Sequence, residues 1–322
     1  MESLDTLAEK LRHSRNIAAK QDIGAVARRL GLANAPIAVG DDCAAIPDGD
    51  GYLLFAIEGF MNEFVAADPW FAGWCGVMVN LADIAAMGGR PIAVVDALWA
   101  DGEANAAPVL DGLRAAAEAF SVPIVGGHTN VRTPQGQLSV AVLGRAKALL
   151  TSFDARPGER LIAAIDHRGV YREPFSNWNA ATNAPPGRLR GDLELPPQLA
   201  EAGLAKVGKD ISQGGIIGTA IMLAECSGVG IDIELDAIPV PAGVALSRWL
   251  ETFPSFGHLL SVPQQNVAAV IAHFAARDIT AADIGVIRAG SAVTIGWHGE
   301  RRTVFDHRTT ALLGMVERER AA

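Results

Sequence analysis

The chain has 322 residues, half of them hydrophobic, and a formal net charge of −9. That is enough for two domains or one large one, with a sizeable core. No stretch clusters Lys and Arg as a nucleic-acid surface requires, and no uninterrupted apolar run reaches transmembrane length, so neither a nucleic-acid partner nor a membrane span is expected.

Residues 4–31 read as helical, because Leu4, Leu7 and Leu11 recur at helical spacing, as do Ile23, Val26, Ala27 and Leu30 before Gly31. Pro36–Val39 and Tyr52–Ile57 read as strands around the turn Pro47-Asp48-Gly49-Asp50-Gly51. A helix is expected over 70–88, a strand at Ile92–Leu98, a helix over about 106–120, then strands before Gly126 and at Leu138–Gly144. The polar segment Asp154–Glu159 suggests a domain boundary near 148–158, giving domains of 1–150 and 151–322. Arg160–Ile165 is a strand, and 166–197, with Pro185-Pro186 and Pro196-Pro197, reads as a long irregular segment in which Trp178 could line a substrate pocket. Beyond it come a helix at Gly214–Glu225, a strand at Gly230–Leu235, a helix at Val244–Leu250, a strand at Leu259–Val262 and a helix at Gln264–Arg277. The pattern is mixed α/β.

Cys43, Cys75 and Cys226 form no CxxC pair and no Cys/His metal spacing. Together with a start that lacks a basic, then apolar leader, this fits a reducing cytoplasm.

The chemistry sits in carboxylates placed where apolar segments end, and in double glycines. Asp41 and Asp42 close Ala35–Val39. Neighbours on a strand point to opposite faces, so the pair either binds different ions or forms an exposed Asp-Asp turn. Asp83 and Asn80 are three apart in an apolar helix, which puts them side by side. A carboxylate there needs a cation, several donors, or an Arg such as Arg90. Glu58 ends a strand, either near the same metal cluster or solvated. Gly126 and Gly127 permit close approach of a bulky anion, and His128 after them is a phosphate contact or a structural hydrogen-bonder. Asp210 precedes Gly214 and Gly215 at a helix start, a common arrangement that can also hold an anion. Together these residues suggest a polyphosphate held through magnesium.

In this order, the motifs resemble the superfamily of AIR synthase, thiamine-monophosphate kinase, selenophosphate synthetase and the hydrogenase maturation factor of the HypE type. Gly40-Asp41-Asp42 resembles the kinase's Gly-Asp-Asp motif. Asn80-Leu81-Ala82-Asp83-Ile84-Ala85-Ala86-Met87-Gly88 resembles its Asn-Leu-Ser-Asp-Leu-Ala-Ala-Met-Gly stretch. Gly126-Gly127-His128-Thr129 resembles the selenophosphate synthetase form of the third motif, and Asp210–Gly215 the second-domain glycine motif. The resemblance implies a two-domain α/β (α+β) fold. The N-terminal domain would pair with its twin in a dimeric β-barrel, and the C-terminal α/β domain would carry the glycine-rich loop. It also implies ATP bridged by Mg2+ to Asp41, Asp42 and Asp83, with Glu58 in support. Asn80, Gly126, Gly127, Gly214 and Gly215 would stand at the nucleotide, and Asp210 and His128 at the phosphoryl transfer to a small-molecule acceptor.

The departures are Glu58 and His128 where the kinase has Asp, and Gln213 in place of the Asp of its Asp-Gly. No Cys precedes Cys43, as selenophosphate synthetase would require, and the closing residues Glu317–Ala322 lack the product-bearing cysteine of the maturation factor. These departures leave the acceptor unassigned. They also motivate a competing reading, a non-catalytic nucleotide-binding or scaffolding paralogue.

Overall fold

A computed structural model describes residues 3–32 and 35–314, so the closing Glu317–Ala322 lies outside the described residues. The chain opens with α1 (Leu4–Arg12), α2 (Arg15–Ala18) and α3 (Gln21–Leu30). The hairpin β1 (Ala44–Asp48) and β2 (Gly51–Phe60) follows, then α4 (Asn62–Ala67), α5 (Pro69–Ala86), β3 (Arg90–Asp101), α6 (Glu103–Phe120), β4 (Ile124–Asn130) and β5 (Arg132–Ala146). Next are β6 (Arg160–Ile165), β7 (Val170–Tyr171), β8 (Asn177–Asn179), α7 (Pro186–Leu193), α8 (Leu195–Glu201), β9 (Val207–Asp210) and α9 (Gly215–Ser227). The chain continues through β10 (Gly230–Glu234), α10 (Leu246–Trp249), β11 (Phe253–Pro254), β12 (Gly257–Val262), α11 (Val267–Ala275), β13 (Thr280–Arg288), β14 (Ala292–Trp297) and β15 (Glu300–Asp306). The fold is mixed α/β, as the periodicities indicate.

These elements form two compact units that are not two consecutive segments. One comprises residues 42–149 and 181–201, the other 1–41, 150–180 and 202–322. The chain does change unit near residue 150, but a single boundary there misses two excursions. The apolar face of α1 (Leu4, Leu7, Leu11) is buried in the core built around α9, and α7 and α8 pack with α5.

In the first unit the sheet order is β1-β2-β5-β3-β4. Leu54, Val94, Leu98, Leu138, Val140 and Val142 alternate onto one face and are buried, and α5 packs against β2, β3 and β5. On the other face Phe55, Ile57, Val95 and Leu143 stay exposed. Arg90 reaches α7 and α8, with Nε 2.8 Å from Glu194 and Nη1 2.6 Å from Glu201.

The second unit has a seven-stranded sheet, β15-β14-β10-β13-β6-β12-β9, and a small sheet of β11, β8 and β7. Segment 166–197, expected to be irregular, thus carries β7, β8, α7 and the start of α8. Pro186 starts α7, and Pro196 and Pro197 lie in the first turn of α8, where no backbone N–H is needed. Trp178 is core rather than pocket lining. It is 5% exposed, its Nε1 donates to Asp166 O at 2.9 Å, and it meets Tyr171 and Trp249 edge-on. Pro36–Val39, expected as a strand, lies in bends and irregular backbone.

Glu225 on α9 ties down the end of the described chain. Its buried carboxylate accepts from Leu312 N, Leu313 N and Gly314 N at 2.6, 3.0 and 2.8 Å. Hydrogen bonds to a buried charge are strong, and removing the acceptor orphans three donors. Glu225→Ala is expected to cost about 3 kcal/mol or more in urea unfolding, with Glu225→Gln intermediate.

Candidate functional site

α5 carries the sharpest candidate residues. Asp68 caps it, accepting from Phe71 N at 3.3 Å, Pro69 occupies the first turn, and most of its residues are buried. Asn80 and Asp83 therefore sit in an apolar setting, 0% and 5% exposed. Asn80 Nδ2 donates to Gly76 O at 2.8 Å, while its Oδ1 has no hydrogen-bond partner among the described residues. The Arg90 considered as a counter-ion for Asp83 is instead held by Glu194 and Glu201.

Asp42 supplies the second carboxylate, with an oxygen within 4.8 Å of one on Asp83. Asp41 and Asp42 lie in bends ahead of β1 and not in a strand, and Asp41 points elsewhere. Its two oxygens accept from Ser152 N at 2.8 Å and Ser152 Oγ at 2.7 Å, within the seven-stranded unit. Ser152 belongs to a short relay, since Ser227 Oγ donates to Ser152 O at 2.7 Å. Glu58 lies on β2 opposite Val140, on the face that α5 covers. Among the described residues neither Asp41 nor Glu58 joins the close Asp42–Asp83 grouping.

Gly126, Gly127 and His128 lie within β4, an exposed edge strand. The reason for glycine at 127 is visible in the packing. A Cβ there would stand 2.4 Å from Asp96 O and 2.6 Å from Asp96 Oδ1. His128 is exposed, its ring 5.7 Å from that of Trp99. Asp96 is a further carboxylate beside Gly127, outside every motif. It is half-buried on β3, and desolvation raises its pKa above the ordinary value. A lone acid inside the apolar run Ile92–Leu98 was its available signal.

Asp210 ends β9 and is 5% exposed. Gly214 and Gly215 begin α9, whose amino end has no side-chain cap. Gly215 has φ +65°, and a Cβ on it would lie 2.2 Å from Leu250 O, so packing alone requires glycine there.

The AIR synthase related protein N-terminal domain matches residues 40–146, and the corresponding C-terminal domain matches 186–298. The chain belongs to the AIR synthase-related family. Within it, an uncharacterized Synechocystis protein is 47% identical over 97% of this chain and 99% of its own length. The phosphoribosylformylglycinamidine synthase subunit PurL of Rhodococcus erythropolis is 26% identical over 88% of this chain, which spans only 41% of that protein. The selenide, water dikinase of Geobacter metallireducens is 29% identical over 63% of this chain and 62% of its own. Two solved structures share the fold. AaThiL complexed with AMPPCP and TMP has a TM-score of 0.65 at 18% identity, covering 87% of this chain and 95% of that one. Thermotoga maritima phosphoribosylformylglycinamidine synthase II has 0.75 at 16%, covering 95% and 51%.

Asp96 gives a pH test. Its folded pKa lies above 3.8, so folding takes up a proton in the window between the two values and stability falls as pH rises through it. Asp96→Asn is expected to raise Tm at neutral pH, with the gain vanishing as pH drops below about 3.8, read from thermal melts across pH.

Proposed function

We propose that this protein is an ATP- and Mg2+-dependent phosphoryl-transfer enzyme acting on a small-molecule acceptor. The observation that carries the reading is the close pair Asp42–Asp83, with Asp83 buried on an apolar helix. Two carboxylates a few ångströms apart repel unless a cation lies between them or one is protonated. The donors are all oxygen, two carboxylates and the unpartnered Oδ1 of Asn80, and that chemistry fits a hard cation such as Mg2+. Asp42, Asp83 and Asn80 would hold it. When bound, the ion neutralises charge on the phosphates.

The chain's own part is positioning. Asp41, fixed to Ser152, anchors the strand entry that presents Asp42. Glu58 is proposed to support the metal set, and Gly126, Gly127 and His128 to meet phosphate. Asp210 and the Gly214-Gly215 turn are proposed to act at the acceptor. Among the described residues no helix is long and apolar enough to cross a membrane. A reducing cytoplasm is proposed as the protein's setting, which three cysteines with no CxxC pair fit.

We also propose a homodimer formed through the uncovered face of the five-stranded sheet. Phe55 is paired with Leu143, and Ile57 and Val95 both flank Ala141, so the exposed apolar residues form one patch. Phe55 is 52% and Ile57 66% exposed, unusual for the solvent face of an antiparallel sheet. A second copy offers the same apolar surface, which suits an isologous contact.

Thermal melts with ATP plus Mg2+, ATP plus EDTA, and neither test the enzyme reading. Ligand at a hundred times its Kd adds about 2.7 kcal/mol, a shift of a few degrees. The shift is expected only with Mg2+ and is lost in Asp83→Asn, together with turnover. Nucleotide binding that ignores Mg2+, or none by a folded protein, favours the scaffold reading instead. For the dimer, sedimentation is expected to give twice the chain mass for wild type and a folded monomer for Ile57→Lys. A monomeric wild type at tens of micromolar rejects it.

A further inference from the structure

The first unit also holds a cavity of about 300 Å3, between the end of β3, the entry to α5 and the first turns of α6. That volume holds one small molecule. Its lining runs from Val65 to Gly136, all within one compact unit. Pro69 borders it at the start of α5, whereas Asp83 lies near that helix's other end. Residues 69 and 83 stand about 21 Å apart along the axis at 1.5 Å per residue, so this is not the acidic site.

The cavity is kept open by what the chain omits. Gly127 and Gly215 have packing reasons to be glycine, but Gly136, which lines the cavity, has none. A Cβ there would meet nothing nearer than Val65 Cγ1 at 3.8 Å and Trp99 O at 3.9 Å, and its backbone is not left-handed. A side chain would fit the backbone and fill the space. Pro69, Pro108 and Pro134 form stiff walls around it. Pro108 is the unusual one, since it lies inside α6, where it cannot donate to the carbonyl of residue 104.

The lining has two characters. Val65, Leu98, Ala100 and Val109 make an apolar floor, 4%, 0%, 3% and 2% exposed, and the half-buried Trp99 adds an indole beside them. The exposed Asp101 and Asn105 supply acceptors at the rim. Asn105 Nδ2 is committed to Asp101 O at 2.8 Å, which leaves its Oδ1 to accept. The Asp101 carboxylate makes no hydrogen bond or ion pair among the described residues. Arg132 lies opposite Asp101 in the β3–β5 ladder, and its charge offsets that of the carboxylate. The rim therefore suits a neutral N–H better than an ammonium group.

We propose that this cavity is a binding site for a planar, neutral N-heterocycle, its ring on the apolar floor beside Trp99 and its N–H donated to Asp101 or Asn105. The site stands apart from the proposed metal pair and does not depend on it.

The test uses full-length 15N-labelled protein titrated with indole and with benzofuran, the isostere that has oxygen in place of N–H. The Trp99 indole signal, identified by its loss in Trp99→Leu, reports binding. Indole is expected to shift it with a Kd of roughly 1 mM or tighter, and benzofuran to bind about tenfold more weakly. Asp101→Ala is expected to weaken indole several-fold and leave benzofuran unchanged. Gly136→Leu is expected to melt at or above the wild-type temperature and to lose both probes. Asp83→Asn and EDTA are expected to leave indole affinity unaltered. No shift of Trp99 at the solubility limit of indole overturns the proposal. So does full indole binding by Gly136→Leu, or benzofuran binding as tightly as indole. Loss of indole binding in Asp83→Asn or in EDTA overturns the separation from the metal pair.

Discussion

Burial of negative charge in apolar surroundings is the constraint on which this molecule depends. Asp83 lies on a helix most of whose residues are buried, and α5 packs against β2, β3, β5 and α6. Such a helix cannot move its carboxylate to water. The fold brings an Asp42 oxygen within 4.8 Å of one on Asp83, and the proposed cation site rests on that closeness. Glu225 shows the opposite solution to the same cost, with three backbone N–H groups converging on one carboxylate. The contrast separates acids that complete the fold from acids that the fold leaves exacting.

Much of the architecture was legible because the strongly periodic segments are long. Leu4, Leu7 and Leu11 announced α1, and the apolar stretch around Asn80 announced α5. The runs at β2, β3 and β6 were equally plain. Other features depended on tertiary context that a linear reading lacks. The prolines of 185–197 read as breakers, yet they open helices, and position within the turn decides which. Pro36–Val39 has strand composition but no neighbour to pair with. Membership of α1 in the later unit has no local signature.

For the candidate site, residue types were easier to read than directions. Asp41 and Asp42 were both visible, but only coordinates show that one serves Ser152 and the other faces Asp83. Gly127 and Gly215 were read as room for a ligand, and each has a packing reason of its own, Asp96 for one and Leu250 O for the other.

The interleaved path of the chain bears on how it is made. Arg12 Nε donates to Thr303 O at 3.1 Å, and Arg302 Nε meets Asp5 at 2.5 Å, contacts between residues 291 and 297 positions apart. At typical synthesis rates of about 5–20 residues per second, the amphipathic face of α1 waits roughly 15–60 s on the ribosome for its strand partner. All five strands of the β1-β2-β5-β3-β4 sheet lie within residues 42–149 and are synthesised long before. The leucine stripe of α1 therefore stays uncovered for most of the time in which these residues are synthesised, a natural foothold for a holdase.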